Sequence, residues 1–249
     1  MEIKTLKKGL ANIRQSVSNK SYVEQIVDDY LNSRVEEDRS GRDFHPSASS
    51  SCPRIIELNM LGLIHENHES RIKRIFDTGH DMHNRYKRYF ERAKKLVAEE
   101  APVQAMIDGI KIKGRADLIV KNFSNEDRLL ELKTVNSRKF EEIIKNGIYY
   151  EEHFVQWNIY SGILKIFKGE ILYENKDDQR MKVFSIEFNK EKFDKTINMF
   201  KVIDYHIERG TLIPKPEVCN ARYCIAKDYC KTAEVGTKID MNLRLGRKK

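Results

Sequence analysis

Residues 110–135 read IKIKGRADLIVKNFSNEDRLLELKTV. Apolar and polar residues alternate through Ile110–Val120, stop at the polar stretch NFSNED (122–127) and resume through Arg128–Val135. That is the pattern of two strands joined by a short polar connection. Successive strand side chains take opposite faces, so Glu131 and Lys133 point one way and Leu132 points the other, into an apolar layer. If Asp117 stands level with Glu131 on the neighbouring strand, two carboxylates converge beside an ammonium. Paired hard oxygen donors suit Mg or Mn, and Lys133 is then placed to orient or help deprotonate a water. A metal so held polarises a phosphodiester, lowers the pKa of its bound water and stabilises the leaving oxygen. The chemistry expected at Asp117, Glu131 and Lys133 is therefore phosphodiester hydrolysis.

Working outward, APVQAMIDG (101–109) reads as a preceding strand, and GEILYE (169–174) and MKVFSIEF (181–188) as a later pair. Helical spacing runs from Arg71 to about Leu96, returns over 149–167, and returns again over 190–209 until Gly210, Pro214 and Pro216 stop it. IIELNMLGL (55–63) has the apolar repeat of a short buried helix, preceded by a polar loop, FHPSASSSCPR. The expected fold class is α/β, a mixed central sheet flanked by helices. Residues 1–43 form a polar helical N-terminal extension ending in EEDRSGRD, 44–230 the core domain, and 231–249 a basic C-terminal tail.

The 249 residues suffice to bury a core without disulfides as the main support. The 46 Lys and Arg against 38 Asp and Glu give +8, which suggests a polyanionic partner. Half of that excess lies in the tail, with six basic residues against two acidic ones. There is no secretory signal and no long apolar span, so a soluble chain in a reducing cytoplasm is expected, without membrane association. No G-x-x-x-x-G-K-[ST] loop occurs, which excludes a self-contained ATP-driven motor.

Four short motifs occur in order: Gly79 to His83 in GHDMH, Gly114 to Asp117 in GRAD, Glu131 to Lys133 in ELK, and Gln156 to Tyr160 in QWNIY. In this combination the chain resembles the PD-(D/E)XK nuclease superfamily, in its RecB-like branch. The resemblance implies a restriction-endonuclease-like core in which Asp117 and Glu131 bind metal, with the Leu132 carbonyl as a further ligand and Lys133 positioning the nucleophilic water. It implies His83 as an additional ligand, whose nitrogen suits Mn better than Mg. His80 lies on the same helix face and is the alternative; His83 alone has the family spacing from Gly79. Gln156 and Tyr160, one turn apart, would support the site and contact the DNA strand. His153 is read as an ordinary histidine.

Three cysteines, Cys219, Cys224 and Cys230, fall within twelve residues, and Cys52 lies far upstream. From the residues alone, unrelated buried thiols, a four-thiolate zinc site and an iron–sulfur cluster all stay open. The resemblance extends to the iron–sulfur members of the branch, including the AddB nuclease domain and the CRISPR-associated exonucleases, which carry one cysteine before the nuclease core and three after it. It implies a 4Fe-4S cluster in a C-terminal lobe, with structural Zn as the alternative, closing a very long loop. The first gap of the closing trio holds four residues here, where the family commonly has two.

Basic residues flank the motifs, and Arg85, Arg88, Arg115, Arg138 and Lys139 are candidates for sequence-independent phosphate contacts. Interleaved aromatics offer stacking surfaces for an unpaired strand. The function expected is that of a metal-dependent deoxyribonuclease, an exonuclease on single-stranded DNA or DNA ends rather than a specific endonuclease. It would serve recombination, repair or CRISPR spacer processing, phage-encoded or cellular, beside a helicase, recombination or adaptation protein. The alternative is a non-catalytic DNA-end-binding or adaptor protein, against which the intact Asp117, Glu131 and Lys133 argue.

Overall fold

The computed structural model describes residues 20–34, 41–64, 68–216, 219 and 224–232. The amino-terminal part of the expected extension and nearly all of the basic tail lie outside the described residues. The chain divides into two units, Met1–Glu37 with His68–Ile75, and Asp38–Asn67 with Phe76–Lys249.

In the first unit, α1 (Tyr22–Ser33) starts at a capping box in which the Ser21 hydroxyl accepts from the Glu24 amide and the Glu24 carboxylate accepts from the Ser21 amide. Leu31 is its buried residue. The Leu31 carbonyl accepts from Lys73 Nζ at 3.1 Å, and Arg74 pairs with Asp28 at 3.2 Å.

The second unit is built on a five-stranded sheet in sequential order: β1 (Leu96–Ile107), β2 (Ile110–Lys121), β3 (Asp127–Val135), β4 (Lys168–Asn175) and β5 (Met181–Glu187). Every neighbouring pair is antiparallel except β3 and β4, which are parallel, so the sheet is mixed as expected. The helices are α2 (Pro53–Met60), α3 (Ser70–Arg92), α4 (Ser137–Asn146), α5 (Glu151–Leu164), α6 (Lys190–Glu208) and α7 (Lys227–Thr232). α3 ends four residues short of the expected Leu96, where Lys94 takes a left-handed φ of 56° and turns the chain into β1.

Three apolar clusters hold this unit. Against one face of the sheet, Met82 and Tyr86 of α3 pack on Leu118, Val120, Leu130, Leu132 and Leu172. Against the other, Phe154, Trp157 and Tyr160 of α5 pack on Ile119, Leu129, Val135, Ile171 and Tyr173. A third cluster joins α2 and α6 through Ile56, Leu58, Phe200 and Ile203 to the start of β2. Gly169 admits the α5 face: a Cβ there would stand 1.9 Å from the Leu129 carbonyl oxygen, the same oxygen that accepts from the Trp157 indole at 2.9 Å. No helix among the described residues is long and apolar enough to cross a membrane.

Candidate active site

The ladder between β2 and β3 runs from Lys121↔Asp127 to Leu118↔Leu130 and stops there. Beyond that point β2 stays with β1 down to Ile110, and β3 stays with β4 up to Val135. The sheet therefore forks at Asp117 and Glu131, the residues next in register. The alternation of β2 also slips here, since Gly114 and Ala116 face α5 while Leu118 and Val120 face α3. Opposite this slip on β1, Glu100 has φ 38°.

Side chains satisfy the backbone groups that the fork frees, as buried peptide groups require. The Leu132 amide donates to Asp117 Oδ2 at 2.8 Å, and His83 Nε2 donates to the Leu132 carbonyl at 3.3 Å. His83 Nε2 also stands 3.8 Å from Asp117 Oδ2. Of the two histidines open in the sequence, the half-buried His83 reaches the fork, while His80 is exposed. Leu132 points its side chain into the α3 cluster, as expected, and Glu131 and Lys133 point toward α5.

Lys133 Nζ lies 2.8 Å from Glu131 Oε1 and donates to Gln156 Oε1 at 3.2 Å. The Glu131 contact is an ion pair whose angles leave buried Oε1 without an aligned hydrogen bond. An ammonium has three N–H groups and only the one on Gln156 is spent in an aligned hydrogen bond, which leaves donors for a water or phosphate oxygen. Tyr160 packs against the site from below: a Cβ on Gly114 would stand 2.8 Å from its hydroxyl and 3.1 Å from Pro46. The glycine of GRAD and the tyrosine of QWNIY are thus one contact. Gly79 differs, since a Cβ there would meet nothing within 4 Å.

Burial pushes the Asp117 carboxyl up to about 6, against the pull of Lys133 and the Leu132 amide. Burial and then the Asp117 charge push Glu131 up to about 7. For Lys133 burial pulls downward, but the two carboxylates outweigh it and keep the ammonium charged. Burial lowers His83 and favours neutral imidazole. Two buried carboxylates with raised pKa, an orphaned Glu131 oxygen and a carbonyl with a spare lone pair fit a hard divalent cation. Among the described residues no three His, Cys, Asp or Glu side chains close on one point. The fit is therefore one of two carboxylates and a backbone oxygen, with His83 alongside.

One pair was missed in the sequence. Parallel pairing sets Tyr173 beside Lys133, and Tyr173 is sealed. Its hydroxyl oxygen accepts from the Tyr150 amide at 3.1 Å and lies 2.7 Å from His153 Nδ1. Among the described residues the phenolic proton has no other acceptor, so it goes to Nδ1 and fixes His153 as the Nε2–H tautomer. Burial, then Lys133 and Lys139, hold this imidazole neutral, with its pKa pulled down to about 3. A histidine in EEHF carries no signal of this, because its partner arrives from a strand twenty residues later.

The expected phosphate contacts divide. Arg85 is turned onto Glu174, and onto Gln179 at 2.7 Å. Arg115 faces Glu100 at 3.5 Å, and Arg138 and Lys139 are exposed, with Lys139 over the Tyr150 ring. Arg88 is exposed and lines, with Thr134 and Lys176, a cavity of about 630 Å³ between α3 and the ends of β3 and β4.

Of the cysteines, Cys52 is the N-cap residue of α2, and Cys224 and Cys230 pack against the α2/α6 cluster. Cys219 is exposed, and none of the four forms a disulfide. Burial pushes the Cys230 thiol up, Arg54 draws it back, and the charges of Cys224, Cys52 and Cys219 push it further up. Thiolates are the donor type of a soft metal or cluster, but among the described residues no three of these cysteines close on one point.

No family model matches the chain, and no curated protein matches it in sequence. In structure it is similar to SSO0001, at 19% identity over 88% of this chain and 100% of that one, with a TM-score of 0.57. It is also similar to LHK-Exo in complex with dAMP, at 16% identity over 67% of this chain and 88% of that one, with a TM-score of 0.52. LHK-Exo is an alkaline exonuclease from Laribacter hongkongensis. The chain shares the fold of these two structures.

Proposed function

We propose that the protein is a metal-dependent DNA nuclease, acting as an exonuclease on single strands or DNA ends through residues 44–230. The observation that carries this reading is the fork, where Asp117, Glu131, Lys133 and the Leu132 carbonyl meet. The fold shared with an exonuclease crystallised with dAMP supports DNA as the substrate. Asp117, Glu131 and the Leu132 carbonyl would hold Mg or Mn, with His83 as a nitrogen ligand; the ion supplies Lewis acidity toward the phosphate and its water. Lys133 orients that water with an N–H not spent on Gln156, its ammonium held by the Glu131 ion pair and by Gln156 on a helix fixed through Trp157 and Tyr160. Exposed Arg88, Arg115, Arg138 and Lys139 neutralise backbone phosphates without reading bases. Cys52, Cys219, Cys224 and Cys230 form the ligand set of a structural 4Fe-4S cluster, with zinc as the alternative occupant.

The test is degradation of end-labelled single- and double-stranded DNA with Mg or Mn. Glu131→Ala and Lys133→Ala are expected to fall by about 100-fold or more, the scale of losing an electrostatic or proton-transfer group. Activity unchanged in both variants would refute the site.

A further inference from the structure

Tyr150, His153 and Gln156 follow one another a turn apart from the N-cap of α5. Gln156 holds the Lys133 ammonium at 3.2 Å, and His153 holds the hydroxyl of Tyr173, the residue in register with Lys133 on β4. On the other side of His153, the Tyr150 ring stands edge-on to the imidazole at 5.7 Å between centroids, with Lys139 Nζ 5.6 Å from that ring's centre. The imidazole is therefore flanked along the helix by two ammonium groups, Lys133 and Lys139.

The lock on its tautomer removes the two usual roles of a histidine at such a site. Nδ1 is occupied in accepting from Tyr173 and Nε2 carries the proton, so no lone pair is left for a metal or for a substrate proton. What is left is a neutral N–H. Nε2 meets no acceptor among the described residues, and it is not sealed from solvent. The brace on Tyr173 uses Nδ1 alone, so this donor is surplus to the packing. A directional donor set between two cations selects an anion, and at a nuclease site the anion to hand is a phosphate oxygen.

We propose that His153 is a phosphate-binding residue, its Nε2–H donating to a non-bridging oxygen of the phosphodiester next to the one being cleaved, between Lys133 and Lys139. This rests on reading the fork as a nuclease site, and it extends that site along α5 toward α4. Because the donor is uncharged, it fixes the position of the strand without adding to the counter-ion release that Lys139 brings.

The experiment is a cycle between side chain and phosphate, run on full-length protein with Mg or Mn and end-labelled single-stranded DNA. One phosphodiester at a time, on either side of the cleaved bond, is replaced by an uncharged methylphosphonate. His153→Asn keeps an oxygen to accept from Tyr173 but has no donor at the Nε2 position, and His153→Gln returns an amide N–H there. On unmodified DNA, His153→Asn is expected to lose about 10- to 100-fold in kcat/KM, the scale of a hydrogen bond to a charged group, and His153→Gln to recover most of that loss. At one neighbouring phosphodiester, methylphosphonate should cost wild type about as much, and cost His153→Asn less than about twofold. If His153→Asn does not fold, the same cycle on His153→Ala decides. Equal penalties in wild type and variant at every position would mean that His153 only seats α5, and would overturn the phosphate contact alone. A wild type indifferent to methylphosphonate on both sides of the cleaved bond overturns it without any variant. Wild-type protein that leaves DNA intact under either metal would overturn the nuclease reading as well.

Discussion

Two helices close the fork between β2 and β3 from opposite faces, and they do so by different means. α5 belongs to the core: Trp157 and Tyr160 are sealed, and Tyr160 occupies the space that a side chain on residue 114 would need. α3 lends one imidazole to the fork, and among the described residues nothing stands within 4 Å of a Cβ on Gly79. Two glycines of equal standing as motif letters therefore have opposite physical grounds. Gly114 is required by contacts inside the chain. Gly79 has no such requirement, and in a helix interior it costs roughly 0.5–1 kcal/mol relative to alanine.

The comparison is broken most forcefully through pH. If the two carboxylates of the fork govern metal binding, a cation must displace protons from groups raised to about 6 and about 7. Affinity for Mn or Mg then climbs by up to about tenfold per pH unit for each proton displaced, between roughly pH 5.5 and 7.5. If the α3 imidazole governed instead, its lowered pKa would confine the climb to the acid side of the ordinary imidazole range and leave affinity flat above it. Calorimetric titration across this range separates the two. The sign reverses for the metal-free protein. The folded carboxyls hold protons that the unfolded ones have released, so their contribution is complete below about pH 4 and is lost as pH rises through about 6 to 7.

A smaller effect sharpens the packing side. Gly114→Ala should destabilise by about 1–3 kcal/mol through overpacking against Tyr160 and Pro46. Tyr160→Phe, which removes the nearest atom, should restore part of that loss in the double variant. Thermal denaturation of the three variants checks it, and a harmless Gly114→Ala would mean that α5 is not seated as described. The smallest effect lies on α3. Gly79→Ala should raise stability by roughly 0.5–1 kcal/mol, a Tm increase of about 1–4 °C. A fall in Tm would show that the space over Gly79 is not free.

The strands and their acids were legible because alternation is local and each residue is its own evidence. The ELK strand assigned Glu131, Leu132 and Lys133 to their faces, and only the register was needed to bring Asp117 beside them. α4 went unread because half of SRKFEEIIKN is charged, although Asn136 caps it through the Lys139 amide and left-handed Gly147 ends it. Arg85 looked like a phosphate contact, but its partners Glu174 and Gln179 come from ninety residues away. Arg54 was hidden for the opposite reason. Nothing in SCPR indicates an arginine deprived of solvent, because burial there is decided by Ile213 and by helices far along the chain.

The hydrogen bond from the Leu132 amide to Asp117 has a further consequence. Elsewhere in the sheet an amide reports on a neighbouring strand, whose carbonyl cannot change its charge. At Leu132 the acceptor is a carboxylate that gains or loses a proton near neutral pH and would turn toward a cation. This one backbone N–H is therefore a resident gauge of the site, and its exchange and chemical shift register the state of Asp117 without any label or substrate.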